Sequence, residues 1–278
     1  MRVETTSDPV AFRDAVFDVL RTDPVRNSVM LVAITQRADG VVADPVPATY
    51  LRVLDDDGNV VGTAMRTPPW HVVLGDLPPE AVGPVTEAMA RDCQDAAGVQ
   101  GPQQPALEFA ERWRSLFGTQ FAVQHGLRLH RLGELGAASA PGQPRLATQT
   151  DLPLVVDWFD AFGLDVGQPA LREGNRQTAL EKLAAGTLWL WEDEGSPVSL
   201  VGHSRAVYGV SRVGPVYTPP ERRGRGYASA LTAHVSKRIR AAGDDACLYT
   251  DLANPTSNKI YAAIGYEPVG DFVDYKFE

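Results

Sequence analysis

The stretch Pro219-Pro220-Glu221-Arg222-Arg223-Gly224-Arg225-Gly226-Tyr227-Ala228 decides the fold of this chain. Upstream, Val207–Tyr217 reads as a strand, stopped by the Pro-Pro pair. Downstream, Ala228, Leu231, Val235 and Ile239 recur at helical spacing, so a helix is predicted from about Gly226 to Ala242. Between them lies a turn rich in glycine and arginine, and such a turn suits a phosphate. The first N–H groups of a helix have no partner inside it, and the helix dipole is positive at that end. Gly224 and Gly226 let backbone approach an anion with no Cβ in the way. Arg223 and Arg225 add charge and forked donors, and Ala228 keeps the first turn slim. Neither a Walker A loop nor a Rossmann glycine fingerprint is present. Taken alone, the arginines are equally well a solvated helix start.

Outward from this stretch the C-terminal half alternates. Arg145–Ala147 reads as a short strand, and Asp151 as the N-cap of a helix with Pro153 in its first turn. Gln177–Ala185 reads as a second helix, with strands at Thr187–Trp191 and Val198–Ala206. Cys247–Asp251 is a short strand, Pro255–Ile264 a helix closed by Gly265, and Phe272–Phe277 a last strand. The N-terminal half echoes the order. Two strands flank Asp57-Gly58-Asn59, Pro78-Pro79-Glu80 precedes a helix, and Glu108–Phe117 ends at Gly118. The Pro-Pro-Glu triplets have a glycine three residues on, Gly83 and Gly224. A diverged tandem repeat follows: residues 1–135, a linker at 136–144, and residues 145–278. In the first copy Val82 and Val85 stand where Arg223 and Gly226 stand in the second, so the first is expected to lack the anion site. His71, Trp70 and Trp113 are expected in its core or a pocket wall.

The second half resembles the GNAT acetyltransferase superfamily. Arg223-Gly224-Arg225-Gly226-Tyr227-Ala228 matches that family's [Q/R]-x-x-G-x-[G/A] loop, and Val213–Thr218 looks like its bulged strand. Asn254 through Tyr266 matches N-x-x-[SA]-x-x-x-Y-x-x-x-G-[FY]. The resemblance implies an α/β fold with a mixed sheet, in two tandem GNAT-like domains, whose strands splay around an acyl-CoA arm. It implies acetyl-CoA as acyl-donor cosubstrate, bound by Val216, Tyr217, Thr218, Arg223, Gly224, Arg225, Gly226, Tyr227, Ala228, Asn254 and Asn258. Backbone N–H near Val216 would polarise the thioester carbonyl. Asn254 and Asn258 would share a helical face if both are helical. Tyr261, close to two turns past Asn254, would be the acid that protonates the leaving thiolate. A phenol of pKa about 10 suits that task. The resemblance also puts acceptor-side residues on the strand bearing His203, a candidate general base, with Asp251, Glu192, Asp193 or a water chain as alternatives. Tyr266 is expected to be packing.

The implied activity is acetyl transfer to a primary amine of a small molecule or peptide by direct attack in a ternary complex. The alternative is a non-catalytic acyl-CoA-binding or regulatory module of the same fold. A net charge of −9 over 278 residues argues against a nucleic-acid partner. No apolar run is long enough for a membrane span, and the first residues carry no signal-peptide pattern, so a cytoplasmic protein is expected. Cys93 and Cys247 read as buried thiols, and no metal-ligand spacing is present. Monomer and homodimer remain equally open.

Overall fold

The computed structural model describes residues 1–167 and 171–278. In chain order the first elements are β1 (Arg2–Thr6), α1 (Pro9–Leu20), α2 (Ser28–Ala38), β2 (Thr49–Leu54), β3 (Val60–Arg66), β4 (Val72–Leu74), α3 (Pro79–Asp92), β5 (Gly98–Pro102), α4 (Gln103–Phe117) and β6 (Phe121–Leu132). There follow β7 (Gln143–Leu146), α5 (Leu152–Asp165), α6 (Arg172–Ala185), β8 (Leu188–Asp193), β9 (Ser196–His203), β10 (Val210–Tyr217), α7 (Tyr227–Ala241), β11 (Asp245–Asp251), α8 (Pro255–Ile264) and β12 (Tyr266–Phe277). Two compact units emerge: Met1–Leu129 with Tyr249–Pro255 and Pro268–Glu278, and His130–Leu248 with Thr256–Glu267. The first unit therefore takes in the end of the chain, including most of β12.

In the first unit the strands run in the order β1-β2-β3-β4-β5-β12. All neighbours are antiparallel except β4 and β5, which are parallel and joined through α3. The β2–β3 turn forms where the sequence placed it. The Asp55 carboxylate accepts N–H groups of Asp57 and Asn59, and Gly58 takes a left-handed φ of 86°. Trp113 of α4 is buried and stacks on Phe109 and on Phe277 of β12. His71 Nδ1 bonds Asp274 Oδ1 at 2.5 Å. Trp70, expected in the core or a pocket wall, is 47% exposed.

In the second unit the order is β11-β10-β9-β8-β7, with only β10 and β11 parallel. The run Leu188-Trp189-Leu190-Trp191 shows why the sheet has two covered faces, since successive strand side chains point oppositely. Trp189 and Trp191 join the cluster of Tyr227, Leu231, Val235 and Ile239 from α7. Leu188 and Leu190 join Val155, Phe159 and Ala179 from α5 and α6. Each fully buried side chain of this size contributes about 1.5–3 kcal/mol. Arg238 and Arg240 sit in the last turn of α7, where the dipole favours cations.

Residues 136–144 are packed rather than a free tether. Ala138 and Ala140 lie against the α7-side cluster, and β7 begins at Gln143. Pro141 O accepts the Trp191 indole N–H at 2.7 Å, and Gly136 N–H donates to Ile264 O at 2.7 Å. Asp151 is the N-cap residue of α5, as the sequence predicts, but its side chain makes no capping hydrogen bond. Its carboxylate turns back to accept from Thr148 N–H and from the Arg145 fork, which holds it down at a pKa of about 2. Both cysteines are free and buried. Among the described residues no helix is long and apolar enough to cross a membrane.

Candidate functional site

The second unit presents the site at the end of β10. This strand pairs with β11 at Val210, Ser211 and Arg212 and then runs on to Tyr217 beyond that ladder. On its other side its register against β9 shifts between Val213 and Val216. Within this bulge Pro215 has no N–H to give, so the sequence itself interrupts the ladder.

A short turn at Pro220–Arg222 follows, and then the glycine loop. Gly224 and Gly226 both lie in the left-handed region, at φ 78° and 82°. A Cβ on Gly224 would meet nothing within 4 Å, so that glycine serves backbone conformation. Gly226 is the N-cap of α7 and has no side chain with which to cap it. The first helical bond recorded runs from Ala230 N–H to Gly226 O, at 2.9 Å. The N–H groups of Tyr227, Ala228 and Ser229 precede it and point out of the helix end. Residues 223–226 are all exposed. Tyr227 is buried, and its hydroxyl donates to Asp193 Oδ2, tying the first turn of α7 to β8. Together an uncapped dipole end, two left-handed glycines and nearby guanidinium groups make an arrangement chemically suited to an anion.

Arg223 departs from the expectation of a free phosphate ligand. Its Nε donates to Thr218 O at 2.9 Å, its Nη2 pairs with Asp165 Oδ2 at 2.5 Å, and it lies over the Tyr217 ring. Arg222 and Arg225 make no ion pair among the described residues, so Arg225 is the exposed cation of the loop. Thr218 Oγ1 bonds Ser199 Oγ at 2.8 Å, fixing the strand end from which the loop departs.

Tyr261 is buried in the cluster that includes Tyr227, with Val216 and Ile260 packed against it. Burial pushes its phenol up to about 12. Tyr266 packs beside it, its hydroxyl bonded to Ser236 Oγ, which is a packing role. Asn258 is half-buried on α8. Asn254 precedes α8 in the loop after β11, so the shared helical face with Asn258 and the two-turn relation to Tyr261 do not hold. Proline at the helix start explains this: Pro255 has no N–H and suits the first helical position, leaving Asn254 outside.

His203 ends β9 opposite Val213, below the bulge. Its Nδ1 lies 2.9 Å from Ser204 O and 3.1 Å from Ser211 Oγ. Ser204 O can only accept, and the Ser211 hydroxyl donates to that same carbonyl. These bonds put the imidazole proton on Nδ1 and leave Nε2 as the basic nitrogen. Burial, then the nearby Lys182 and Arg238 charges, lower the His203 pKa. Lys182 donates to His203 O at 2.8 Å and is itself lowered to about 8 by burial. Glu192 and Asp193, named as alternative bases, are both engaged: Glu192 pairs with Arg145 and Asp193 accepts from Tyr227. Asp251 Oδ1 accepts the Ala253 N–H. Asp165 and Lys182 join this account only through the fold, since they lie 58 and 21 residues from the residues they touch. Among the described residues no group of three His, Cys, Asp or Glu side chains is placed to hold a metal ion.

The family model described as FR47-like protein matches residues 193–273, which span the β8 end, the loop and Tyr261. Solved structures match over nearly the whole chain. An acetyltransferase of the GNAT family from Colwellia psychrerythraea shares 14% identity at a TM-score of 0.58, covering 100% of both chains. A GCN5-related N-acetyltransferase from Sphaerobacter thermophilus shares 16% at 0.65, covering 99% of this chain and 95% of that one. A tandem GNAT protein from the clavulanic acid biosynthesis pathway shares 12% at 0.60, covering 100% of this chain and 98% of that one. At such identities the likeness is one of fold. No curated protein gives a significant match.

Proposed function

We propose that this chain, which has the GNAT fold along its length, is an N-acetyltransferase that moves an acetyl group from acetyl-CoA to a primary amine of a small molecule or peptide. The observation that carries this reading is the exposed, uncapped start of α7 behind two left-handed glycines. It fits a pyrophosphate, and acetyl-CoA when bound supplies both that anion and an activated thioester. The N–H groups of Tyr227, Ala228 and Ser229 hold the anion, with Arg225 adding charge. β10 past Arg212 offers its edge to the pantetheine arm, and the Val216 N–H serves the thioester carbonyl. Tyr261 Oη holds a proton for the departing sulfur. His203 Nε2 takes a proton from the acceptor amine, which must be neutral to attack. Asn258 is positioned on the same helix as Tyr261 to bind an amide of the arm.

Calorimetry with acetyl-CoA, paired with thiol release across a panel of amines, tests this reading. Wild type should bind and turn over at least one amine. Arg225→Glu reverses an exposed charge at the anion site and should weaken binding roughly tenfold or more. An absence of acetyl-CoA binding would remove the reading. Binding without any turnover would leave the non-catalytic acyl-CoA module of the same fold.

A further inference from the structure

His203 is gripped from outside its own strand. α6 ends at Gly186, which takes a left-handed φ of 65°, and the turn closes with Thr187 N–H donating to Lys182 O at 3.0 Å. That turn presents two groups to the last residue of β9. Thr187 O accepts the His203 N–H at 2.9 Å, and Lys182 Nζ donates to His203 O at 2.8 Å. The ring is held separately at Nδ1, by Ser204 O and Ser211 Oγ. Backbone N–H, backbone C=O and imidazole are all fixed, which leaves Nε2 to take a proton.

Of these grips only Lys182 carries a charge. A neutral donor would satisfy the same carbonyl. A cation does more, because it repels a second positive charge on the ring. The charges that bear on the imidazole are both positive: Lys182 from α6 and Arg238 from α7, whose guanidinium lies over the Trp189 ring. α7 also carries His234, which meets Trp189 edge to face. β10 adds Arg212 beside Lys182, and among the described residues the one carboxylate bearing on Lys182 is its neighbour Glu181. Burial brings Lys182 down only to about 8, so it stays charged across the range in which His203 titrates.

We propose that Lys182 is a positioning residue for His203: its ammonium fixes the strand end that carries the imidazole and keeps that imidazole neutral, ready to take a proton from the acceptor amine. This rests on the reading of His203 as the base.

NMR titration of the His203 imidazole in the full chain tests it, the resonance being assigned by its loss in His203→Gln. In the wild type the midpoint should lie below 6.5, with the proton of the neutral ring on Nδ1. A midpoint at or above 6.5 overturns the proposal before any Lys182 variant is made. Lys182→Met keeps much of the side chain's length and removes its charge and donors. Its midpoint should rise towards 6.5, and the acid limb of kcat/KM should move with it, costing about tenfold at low pH for each unit of rise. KM for acetyl-CoA should not change. Lys182→Arg keeps a cation and N–H donors, so midpoint and limb should stay near those of wild type. A lysine that only supports the fold would lower the melting temperature of Lys182→Met and leave the midpoint in place, and that result overturns the proposal. An equal rise in the Lys182→Arg variant overturns it too. A midpoint that moves without the limb removes His203 as the base, and this proposal with it. If no amine is turned over, the acyl-transfer reading fails by itself, while the midpoints still decide whether Lys182 controls the imidazole.

Discussion

Gly226 carries two constraints at once. Its φ of 82° is a region that β-branched residues rarely enter, and a Cβ there would sit 3.2 Å from Ser139 O. Gly226→Val should therefore lower stability by about 1–2 kcal/mol, the scale of left-handed strain, and should weaken acetyl-CoA binding. Thermal melts and calorimetry on one preparation read both effects. Tyr261 is predicted differently. Burial holds its phenol near 12, so it stays protonated over the working range and contributes no alkaline limb below about pH 11. Tyr261→Phe should lower kcat by about 10²-fold, within the range for a general acid, with little change in KM for acetyl-CoA. An equal fall in kcat and rise in KM would place the hydroxyl in binding instead. For His203 the sign runs the other way. Its folded pKa lies below the ordinary 6.5, so the neutral, proton-accepting form persists to more acidic pH. The same shift gives stability that is present above pH 6.5 and is lost as pH falls through the lowered value. If His203 is the base, kcat/KM has an acid limb below pH 6.5, and His203→Gln lowers the plateau and removes that limb. An unchanged profile in the variant would leave deprotonation to water.

At the scale of elements, period and turn chemistry made most of the second unit legible. The α7 face, the Gly265 stop and the Leu-Trp alternation of β8 all follow from local spacing. The details that differ have separate causes, and only for Arg223 is it a partner far along the chain. Asp151 holds the N-cap position read for it, yet Arg145 and Thr148, six and three residues before it, claim its carboxylate. Asn254 shares a face with Asn258 only if it is helical, and α8 begins after it, at Pro255. Arg223 fits the family loop, but nothing near it announces Asp165, 58 residues away at the end of α5. That contact makes a prediction of its own. If Arg223 serves the proposed cosubstrate, Asp165 competes with its phosphate for the guanidinium, and Asp165→Asn should tighten acetyl-CoA binding by a few-fold, an exposed pair being worth up to about 1 kcal/mol. The gain should shrink at high salt as the competing charges are screened. Weaker binding in this variant would show that Asp165 instead holds Arg223 in its useful position.

Over the whole molecule, the repeat was visible in sequence as an echo of order, and the structure shows what the echo consists of. Each unit contains a parallel strand pair joined by a helix: β4-α3-β5 in one, β10-α7-β11 in the other. What the sequence could not show is that β12, at the far end of the chain, pairs with β5. Strand pairing between distant segments leaves no local signature. The two helix starts also differ more than the paired Pro-Pro-Glu triplets suggest. After Pro219-Pro220 the chain makes a short turn and two left-handed glycines before α7 begins, whereas α3 begins at Pro79 itself and runs through Gly83. Gly83 lies inside that helix facing Arg112 of α4, so it is not a counterpart of Gly224 in the loop. The first unit thus has no backbone cradle for a pyrophosphate, and its strand pair is closed where a Cβ on Gly101 would come within 2.8 Å of the Leu74 side chain. Acetyl-CoA should therefore titrate at one site per chain, and Arg225→Glu should abolish or weaken that single isotherm. A second site surviving in the variant would mean that the first unit binds the cosubstrate by a route other than a helix N-terminus.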